Sequence, residues 1–310
     1  MKVLVFGATG DQGAAQIDRL RAAGHRPIAA GRHPERSSGE AIFADFAEPA
    51  SLAAAIDGME AIFLTLPSTS FQPAEPLIAA TDIIARAAAA APSVRMLIFN
   101  SSLPMAPEKL GFAAQDARIE MRARLFAAGI PTVVLAPVVF LDNLLKGWVW
   151  PTLVRQGKIV YPHPDSLQVS WICHDDLAAL MVAALGRPDL AGRTFAVGGP
   201  EALRGPELAR RLSLAWRRKL TFESQSLDDF TARISDLFGG SGALPTGRMM
   251  AELRRIYTWY QTDPSHPFLV DMKPVLALLP TSLSSLESWA ARHPLPSESL
   301  DISGATELPN

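Results

Sequence analysis

The residues with the clearest chemical meaning are three glycines near the start of the chain, Gly7, Gly10 and Gly13. They follow an apolar run of strand length at 1–6 and precede an apolar helical pattern that continues to Gly24. Glycines at such a turn let the backbone bend sharply and approach a pyrophosphate, while the helix start offers free N–H groups and a positive dipole end. This order predicts a dinucleotide site, with a tight turn that binds nothing as the alternative. The residues of the turn expected to contact the cofactor are Gly7, Thr9, Gly10, Asp11, Gln12 and Gly13.

The end of the second predicted strand, 26–31, bears on which dinucleotide is bound. NAD-binding folds carry an acidic residue there to hold the ribose hydroxyls, but this chain has Gly31-Arg32-His33. An arginine can pair with a 2′-phosphate through its planar guanidinium, which favours NADP(H) and leaves NAD as the second choice. Alternatively, Arg32 is an ordinary solvated charge. Asp45, after the third predicted strand, could accept a hydrogen bond from adenine or cap the following turn.

Short apolar strands alternate with helical patterns through the first part of the chain, as in βαβ units. The fold class expected is α/β, a Rossmann doubly wound parallel sheet whose strands all end at one edge, where the ligand lies. Strands are predicted at 1–6, 26–31, 40–45, 61–66, 96–101 and 132–136, and helices at 49–56, 76–91 and 115–128. The strand-end residues expected beside the cofactor are Leu66, Pro67, Ser101, Pro137, Phe140 and Asn143.

The pattern changes after Asn143. Aromatic residues from Trp148 to Trp171 stand among prolines. Another strand is expected at 194–200, and the sequence from Arg204 onward predicts helices and loops. We therefore predict a smaller, mainly helical C-terminal lobe beside the Rossmann domain. The predicted Rossmann domain comprises 1–143 and 171–200, the substrate lobe 144–170 and 201–293, and a flexible tail 294–310.

Composition excludes several classes of function. The formal net charge is -2, so nothing overall indicates nucleic acid or an anionic membrane as partner. The single cysteine, Cys173, excludes an intramolecular disulfide and is typical of a reducing compartment. The apolar run at 1–6 is too short for a secretory signal, and the six histidines show no metal-ligand spacing. We expect a cytoplasmic chain with no membrane span and no metal.

Taken together, the motifs resemble the atypical short-chain dehydrogenase/reductases and, more narrowly, the NmrA-like family. The resemblance implies a Rossmann domain that binds NADP(H) and a small lobe that closes over the substrate. Members include ketone, quinone and double-bond reductases, and also regulators that bind the nucleotide without turning it over. The segments that carry the resemblance are 7–13, Gly31-Arg32, Ser101-Ser102, 130–131, 137–145, 171–178 and 199–203, which together cover roughly residues 1–230.

The usual proton donor of short-chain dehydrogenases is missing. That donor is a tyrosine followed four residues later by lysine, and none of Tyr161, Tyr257 and Tyr260 has a lysine at that spacing. NmrA-like reductases often carry a lysine on the helix after the fifth strand, where this chain has Arg118. Arg118 could hold a ribose hydroxyl or the nicotinamide, but its pKa is too high for proton transfer near neutral pH. Alternatively, it is a surface charge.

Three further polar residues have open roles. Ser101 could hydrogen-bond a substrate carbonyl or merely close its strand, and it joins Arg118 as the second catalytic candidate. Asp175 is expected to cap the helix at 177–185. His163 could line a pocket and protonate a substrate, although a lone histidine is more often structural.

Two hypotheses for function follow. The first is an NADP(H)-dependent oxidoreductase, monomer or homodimer, that reduces a small apolar carbonyl, quinone or activated double bond; the aromatic stretch from Trp148 to Trp171 favours it. The second is a catalytically silent redox-sensing regulator that binds NADP(H) and acts through a protein partner; the missing dyad favours it. A nucleotide-sugar epimerase or dehydratase is weaker, because those relatives depend on the tyrosine dyad.

Overall fold

The protein was analysed as a computed structural model that describes residues 1–68, 73–238 and 247–296. Its strands are β1 Lys2–Phe6, β2 Arg26–Gly31, β3 Ala41–Phe43, β4 Ala61–Thr65, β5 Met96–Asn100, β6 Thr132–Pro137, β7 Lys158–Tyr161, β8 Gln168–Val169, β9 Thr194–Val197, β10 Leu203–Arg204 and β11 Thr221–Ser224. Its helices are α1 Asp11–Ala22, α2 Pro49–Ile56, α3 Glu75–Ala90, α4 Ala113–Ala127, α5 Trp150–Gln156, α6 His174–Leu185, α7 Gly205–Ala215, α8 Leu227–Phe238, α9 Gly247–Thr262, α10 Lys273–Leu278 and α11 Leu286–Arg292.

A seven-stranded sheet forms the centre, in the order β3-β2-β1-β4-β5-β6-β9. All its neighbouring strands run parallel. The chain winds outward from β1 in one direction to β3, and from β4 in the other direction to β9. This is the doubly wound order, which leaves a crevice at the carboxyl ends of the strands where the winding reverses, between β1 and β4. The predicted Rossmann fold is confirmed.

Successive residues of β1 face opposite sides of the sheet, as the two-residue period of a strand requires. Val3 and Val5 pack into one core, to which α1 and α6 contribute. Leu4 and Phe6 pack into the other, which is covered by α2, α3 and α4. Because both faces are covered, most residues of the central strands are apolar, and this composition made the strands recognisable in the sequence.

The lobe is mainly helical but also contains two small sheets. β7 pairs with β11 in parallel, and β8 pairs with β10 antiparallel. The prediction of only helices and loops after Arg204 was therefore wrong for β10 and β11. Strands of two to four residues are too short to show a period, so only their pairing partners reveal them. The proposed domain boundaries remain a prediction.

The start of α6 also differs from expectation. The helix begins at His174 with Cys173 as its N-cap, so Asp175 does not cap it. Instead, the Nε of Arg19 on α1 donates to Oδ1 of Asp175 at 2.6 Å. A different carboxylate binds the first N–H of the helix: Oδ2 of Asp142 accepts from the backbone N–H of His174 at 2.9 Å. The bidentate pair between Arg19 and Asp175 ties α6 to α1 on one face of the sheet.

None of the helices in the described ranges has the length and apolar composition that spanning a lipid bilayer requires. Of the predicted tail, residues 297–310 lie outside the described ranges, so that prediction is not tested.

Candidate functional site

A cavity of about 890 Å³ lies at the carboxyl edge of the sheet and continues beneath the lobe. One end is formed by the turns that follow β1, β2 and β4, and the other end by side chains from α8 and α9. Of the residues predicted to bind the cofactor, the structure brings twelve to its wall. They are Gly7, Thr9, Gly10, Asp11, Gln12, Gly13, Arg32, Asp45, Leu66, Pro67, Phe140 and Asn143.

The glycine turn needs glycine for two physical reasons. Gly7 has a φ of 79°, in the left-handed region, and a Cβ there would lie 2.7 Å from the carbonyl oxygen of Thr65. A Cβ on Gly13 would lie 2.1 Å from the carbonyl oxygen of Gly7. The turn is closed by the N–H of Gly10, which donates to that same oxygen at 3.1 Å. The first turn of α1 consequently opens onto the cavity with its N–H groups available to an anion.

A network of amide and hydroxyl groups holds the floor of the site together. Asn100 at the end of β5 donates through Nδ2 to Gln12 Oε1 at 2.7 Å and to Thr65 Oγ1 at 3.2 Å. Gln16 donates to the same Thr65 hydroxyl at 2.9 Å, and Asn100 Oδ1 accepts from the N–H of Ser102 at 2.8 Å. Two strand ends and α1 are thereby joined. No local sequence motif marks these residues, because they come together only when the strands align.

Arg32 and Asp45 also belong to the cavity wall. Arg32 directly follows β2, is exposed and lines the cavity. Asp45 caps the following turn, because its Oδ1 accepts from the N–H of Ala47 at 2.9 Å, and it also borders the cavity. The turn-capping role of Asp45 is thus observed, while contact with adenine remains a prediction.

Another part of the cavity wall is formed by the segment that follows β6. Asn143 donates to the hydroxyl of Tyr161 at 3.1 Å, which fixes its amide at the cavity edge. The ammonium of Lys146 contacts the carboxylate of Asp11, joining this wall to the start of α1. His174 also lines the cavity; burial lowers its pKa, and the nearby Asp142 carboxylate opposes that shift. Lys146 and His174 were not singled out in the sequence.

The end of the cavity beneath the lobe is apolar and aromatic. The ring of Trp148 lies 5.5 Å from that of Phe230, which lies 4.8 Å from Tyr257. Of the aromatic residues after Asn143, Trp148 lines the cavity, whereas Tyr161 and Trp171 pack in the core. That these residues enclose an apolar ligand remains a prediction. The residues that form this apolar chamber are Phe140, Trp148, Phe230, Ile234, Leu237, Leu253, Ile256, Tyr257 and Tyr260.

Three predicted site residues do not line the cavity: Ser101, Pro137 and Arg118. β5 ends before Ser101, whose hydroxyl donates to the carbonyl of Leu103 at 2.7 Å, as expected of a residue that closes a strand. Arg118 is 3% exposed, so its interpretation as a surface charge is wrong. Its Nε donates to the carbonyl of Ser101 at 3.0 Å and its Nη1 to that of Ala114. The guanidinium lies behind the cavity wall.

His163 does not reach the cavity either. It is 2% exposed and packs among aromatic rings, with Tyr161 at 4.6 Å and Phe268 at 5.3 Å. Neither ring nitrogen has a hydrogen-bond partner among the described residues, and burial lowers the pKa of His163 to about 3. The structural role that is commoner for a lone histidine is therefore the one observed, and the alternative that His163 protonates a substrate is wrong, because the ring is neutral and enclosed.

A parallel sheet in this order, with a glycine turn after β1 and an open helix start above it, defines a Rossmann-type dinucleotide-binding fold. The sequence profile of the NmrA-like family matches residues 1–267. The chain belongs to the NmrA-like family, as the sequence motifs predicted.

Two curated relatives were found by sequence. A (4-alkanoyl-5-oxo-2,5-dihydrofuran-3-yl)methyl phosphate reductase of Streptomyces griseus is 32% identical over 232 residues, which are 73% of this chain and 78% of the relative. An NAD(P)H azoreductase of Xenophilus azovorans is 26% identical over 207 residues, or 64% of this chain and 68% of the relative. Both relatives are reductases by name.

Solved structures share the fold over nearly the whole chain. The Citrobacter sp. triphenylmethane reductase complexed with NADP(H) has a TM-score of 0.73 at 19% identity, covering 94% of this chain and 99% of its own. The Escherichia coli NADPH-dependent quinone oxidoreductase, complexed with NADPH, has a TM-score of 0.69 at 21% identity and covers 94% and 99%. Nmra, a negative transcriptional regulator, has a TM-score of 0.67 at 15% identity and covers 93% and 94%. The cofactors of the first two agree with the NADP(H) predicted from Gly31-Arg32.

Proposed function

We propose that this protein is an NADP(H)-dependent reductase of apolar conjugated carbonyl compounds, quinones or activated double bonds. The observation that carries the proposal is the continuity of one cavity. The glycine turn and Arg32 form one end, and the aromatic chamber of Trp148, Phe230 and Tyr257 forms the other. A dinucleotide held at the first end would bring its nicotinamide towards the second, where an apolar substrate is shielded from water.

The cofactor end has the groups that a phosphorylated dinucleotide needs. The N–H groups at the start of α1 and the ammonium of Lys146 suit a pyrophosphate. The exposed guanidinium of Arg32 suits a 2′-phosphate, and no acidic residue directly follows β2 to favour the free ribose hydroxyls. The names of the related reductases, with NADP(H), NADPH and NAD(P)H among their cofactors, support this assignment.

The lining of the substrate end favours a hydride acceptor that is apolar and conjugated. Its wall is mostly aliphatic and aromatic, which favours a flat apolar molecule over a sugar or a polyanion. The Streptomyces griseus relative is named for a phosphate ester of a dihydrofuran whose ring double bond stands beside carbonyl groups, and such a bond accepts hydride readily. The relative therefore supports the conjugated acceptor, while the apolar character is supported by the chamber wall. When bound, the reduced nicotinamide supplies that hydride. The chain orients the acceptor and excludes water.

The alternative is a regulator that binds NADP(H) without turnover. Two observations favour it: the sequence lacks a tyrosine–lysine dyad, and Arg118 lies behind the cavity wall. The shared fold with the regulator Nmra is compatible with it. In that case the redox state of the cofactor would be reported to a protein partner.

Titration calorimetry followed by a turnover screen separates these functions. NADPH, NADP⁺, NADH and NAD⁺ are titrated into the purified chain, and NADPH oxidation is then followed with a panel of quinones, enones and unsaturated lactones. Binding of NADPH with turnover of a panel member supports the reductase. Tight binding without turnover across the panel supports the regulator, and absence of dinucleotide binding contradicts both.

A further inference from the structure

One hydroxyl in the apolar chamber has no bonding partner. Tyr260 on α9 lines the cavity and is 2% exposed, and its hydroxyl oxygen is enclosed without a hydrogen bond from any described residue. A buried polar group left without a partner costs stability, so such groups are rare unless a ligand completes them. The hydroxyl of Tyr260 is therefore free to form a hydrogen bond with a polar group of a ligand in the chamber.

Contacts along α9 position Tyr260. The ring lies 4.5 Å from the ring of Phe268. Earlier on α9, the carboxylate of Glu252 accepts from the N–H of Ala113 at 2.9 Å, and Arg255 lies 4.7 Å over the ring of Phe112. These contacts dock α9 on the start of α4, the helix that carries Arg118.

Arg118 is a buried cation beside this hydroxyl. In the described part of the chain its guanidinium donates to two backbone carbonyls, and no carboxylate forms an ion pair with it. Burial raises the pKa of Tyr260, whereas Arg118 and then Gln115 act to lower it. Gln115 is neutral, and one of its two Nε2 protons is donated to the carbonyl of Pro104 at 2.6 Å, so Arg118 is the charged group of the two. Arg118 is therefore the group placed to stabilise negative charge on Tyr260.

We propose that the hydroxyl of Tyr260 is the donor that hydrogen-bonds the oxygen of the substrate and protonates it, with Arg118 as the positioning residue that holds the resulting phenolate. This rests on the proposed reductase function. Tyrosine and cation come from different helices and from distant parts of the sequence, so they form no motif. Arg118 acts through Tyr260 and does not touch the substrate.

The step balances without any further reactant. Hydride addition to a carbonyl carbon, or to the far carbon of a conjugated double bond, leaves an electron pair on the substrate oxygen as an alkoxide or enolate. The O–H bond of Tyr260 breaks and its proton moves to that oxygen. The phenolate remains beside Arg118 until water returns a proton to it.

The first test compares Tyr260→Phe with Tyr257→Phe on a substrate found in the screen. Both tyrosines lie on α9 and border the same chamber, but Arg118 does not act on the pKa of Tyr257. We expect Tyr260→Phe to lower kcat by about 10² or more, to leave the Kd for NADPH within twofold, and to abolish the solvent deuterium isotope effect on kcat. Tyr257→Phe should act mainly on KM. An unchanged kcat in Tyr260→Phe, or the larger kcat loss in Tyr257→Phe, would overturn the proposal.

Arg118 is tested by a readout that a merely structural role would not change. Arg118→Met should lower kcat by about tenfold or more and change its pH dependence, while the Kd for NADPH stays within twofold. Arg118→Lys should restore much of kcat because it keeps the charge. If Arg118→Met keeps the kcat and the pH profile of the wild type, or if Arg118→Lys loses as much kcat as Arg118→Met, Arg118 has no positioning role.

A second measurement does not depend on turnover. Para-nitrophenolate, an aromatic oxyanion, is titrated into the chain loaded with NADP⁺ and followed by its absorbance. Because a hydrogen bond to a charged group is strong, Tyr260→Phe should weaken binding by about tenfold or more. Equal binding to both proteins, or no binding to the wild type, would overturn the Tyr260 assignment. Tyr260-dependent binding without turnover in the screen would instead contradict the reductase function while keeping Tyr260 as the oxyanion donor.

Discussion

The ammonium of Lys146 contacts the carboxylate of Asp11, linking the segment after β6 to the first residue of α1. Both side chains border the cavity at its cofactor end. An anionic carboxylate beside the α1 N-terminus competes with a pyrophosphate for the same N–H groups, and Lys146 offsets its charge. The pair therefore sets the local charge at the start of α1, where the pyrophosphate of a dinucleotide would bind.

We expect opposite effects from the two members of this pair. Lys146→Met should weaken NADPH binding by about fivefold, since a partly exposed pair is worth up to about 1 kcal/mol, and Asp11→Asn should tighten it. Calorimetry at two salt concentrations measures both, and the differences should shrink at high salt. Lys158→Met is the matched control, because Lys158 pairs with Glu223 at 2.8 Å in the lobe. Weaker binding in all three variants would contradict the assignment.

Arg32 should determine the choice of cofactor. Loss of a charge-assisted bond to a 2′-phosphate should raise the Kd of Arg32→Ala for NADPH by about tenfold or more, while its Kd for NADH changes less than about twofold. Arg36→Ala is the control, because Arg36 is exposed nearby but does not line the cavity. Equal losses for NADPH and NADH in Arg32→Ala would refute the 2′-phosphate contact.

The unpartnered hydroxyl of Tyr260 should have a cost in stability. Tyr260→Phe removes a buried polar atom without breaking a hydrogen bond, so the free energy of unfolding should rise by about 1 kcal/mol. Tyr161→Phe is the matched control, because Tyr161 is also buried but its hydroxyl accepts a hydrogen bond from Asn143 at 3.1 Å. The free energy of unfolding of Tyr161→Phe should therefore fall by about 1 kcal/mol. Urea unfolding measures both. A loss of equal size in the two variants would show that the Tyr260 hydroxyl has a partner.

His163 should make the protein sensitive to acid. Its pKa is about 3 in the folded chain against 6.5 for an unperturbed histidine, so between these values the unfolded state binds the extra proton. Stability is therefore fully present above about pH 6.5 and falls as the pH decreases towards 3. At pH 5 His163 lowers the free energy of unfolding by about 2 kcal/mol relative to its value above pH 6.5.

The measurement for His163 is urea unfolding at several pH values. His163→Phe, which keeps an aromatic ring in the cluster, should lack this part of the acid sensitivity, whereas His33→Ala on the exposed surface should keep it. A pH profile of His163→Phe parallel to that of the wild type would show that folding does not lower the pKa of His163.

Much of the fold followed from short-range rules. The bounds of β2 and α2 agree with those predicted, because a short apolar run that ends at a glycine and a helix that begins at a proline carry their own start and stop signals. The strand that returns to the sheet, β9, was also predicted from its apolar residues. The small sheets of the lobe were missed since each depends on a partner distant in the chain, as Leu203 does on Val169.

The cofactor end of the site was likewise visible in advance. Gly7 and Gly13 must be glycine because the backbone of the same turn, or of the adjacent strand, leaves no room for a Cβ. Arg32 follows β2 directly, and every parallel strand ends at the same edge. Local conformation and sheet geometry thus suffice to place these residues together.

The substrate end was decided by tertiary structure alone. The sequence by itself determined that a dinucleotide fold is present, that the Tyr-x-x-x-Lys dyad is absent, and that a cation occupies position 118. Tyr260 reaches the chamber in front of Arg118 only because α9 packs on α4. One contact of that packing joins Ala113 and Glu252, which are 139 positions apart in the chain. The physical reason is that a turn is specified by its own few residues, whereas a contact between distant helices depends on how the whole intervening chain packs.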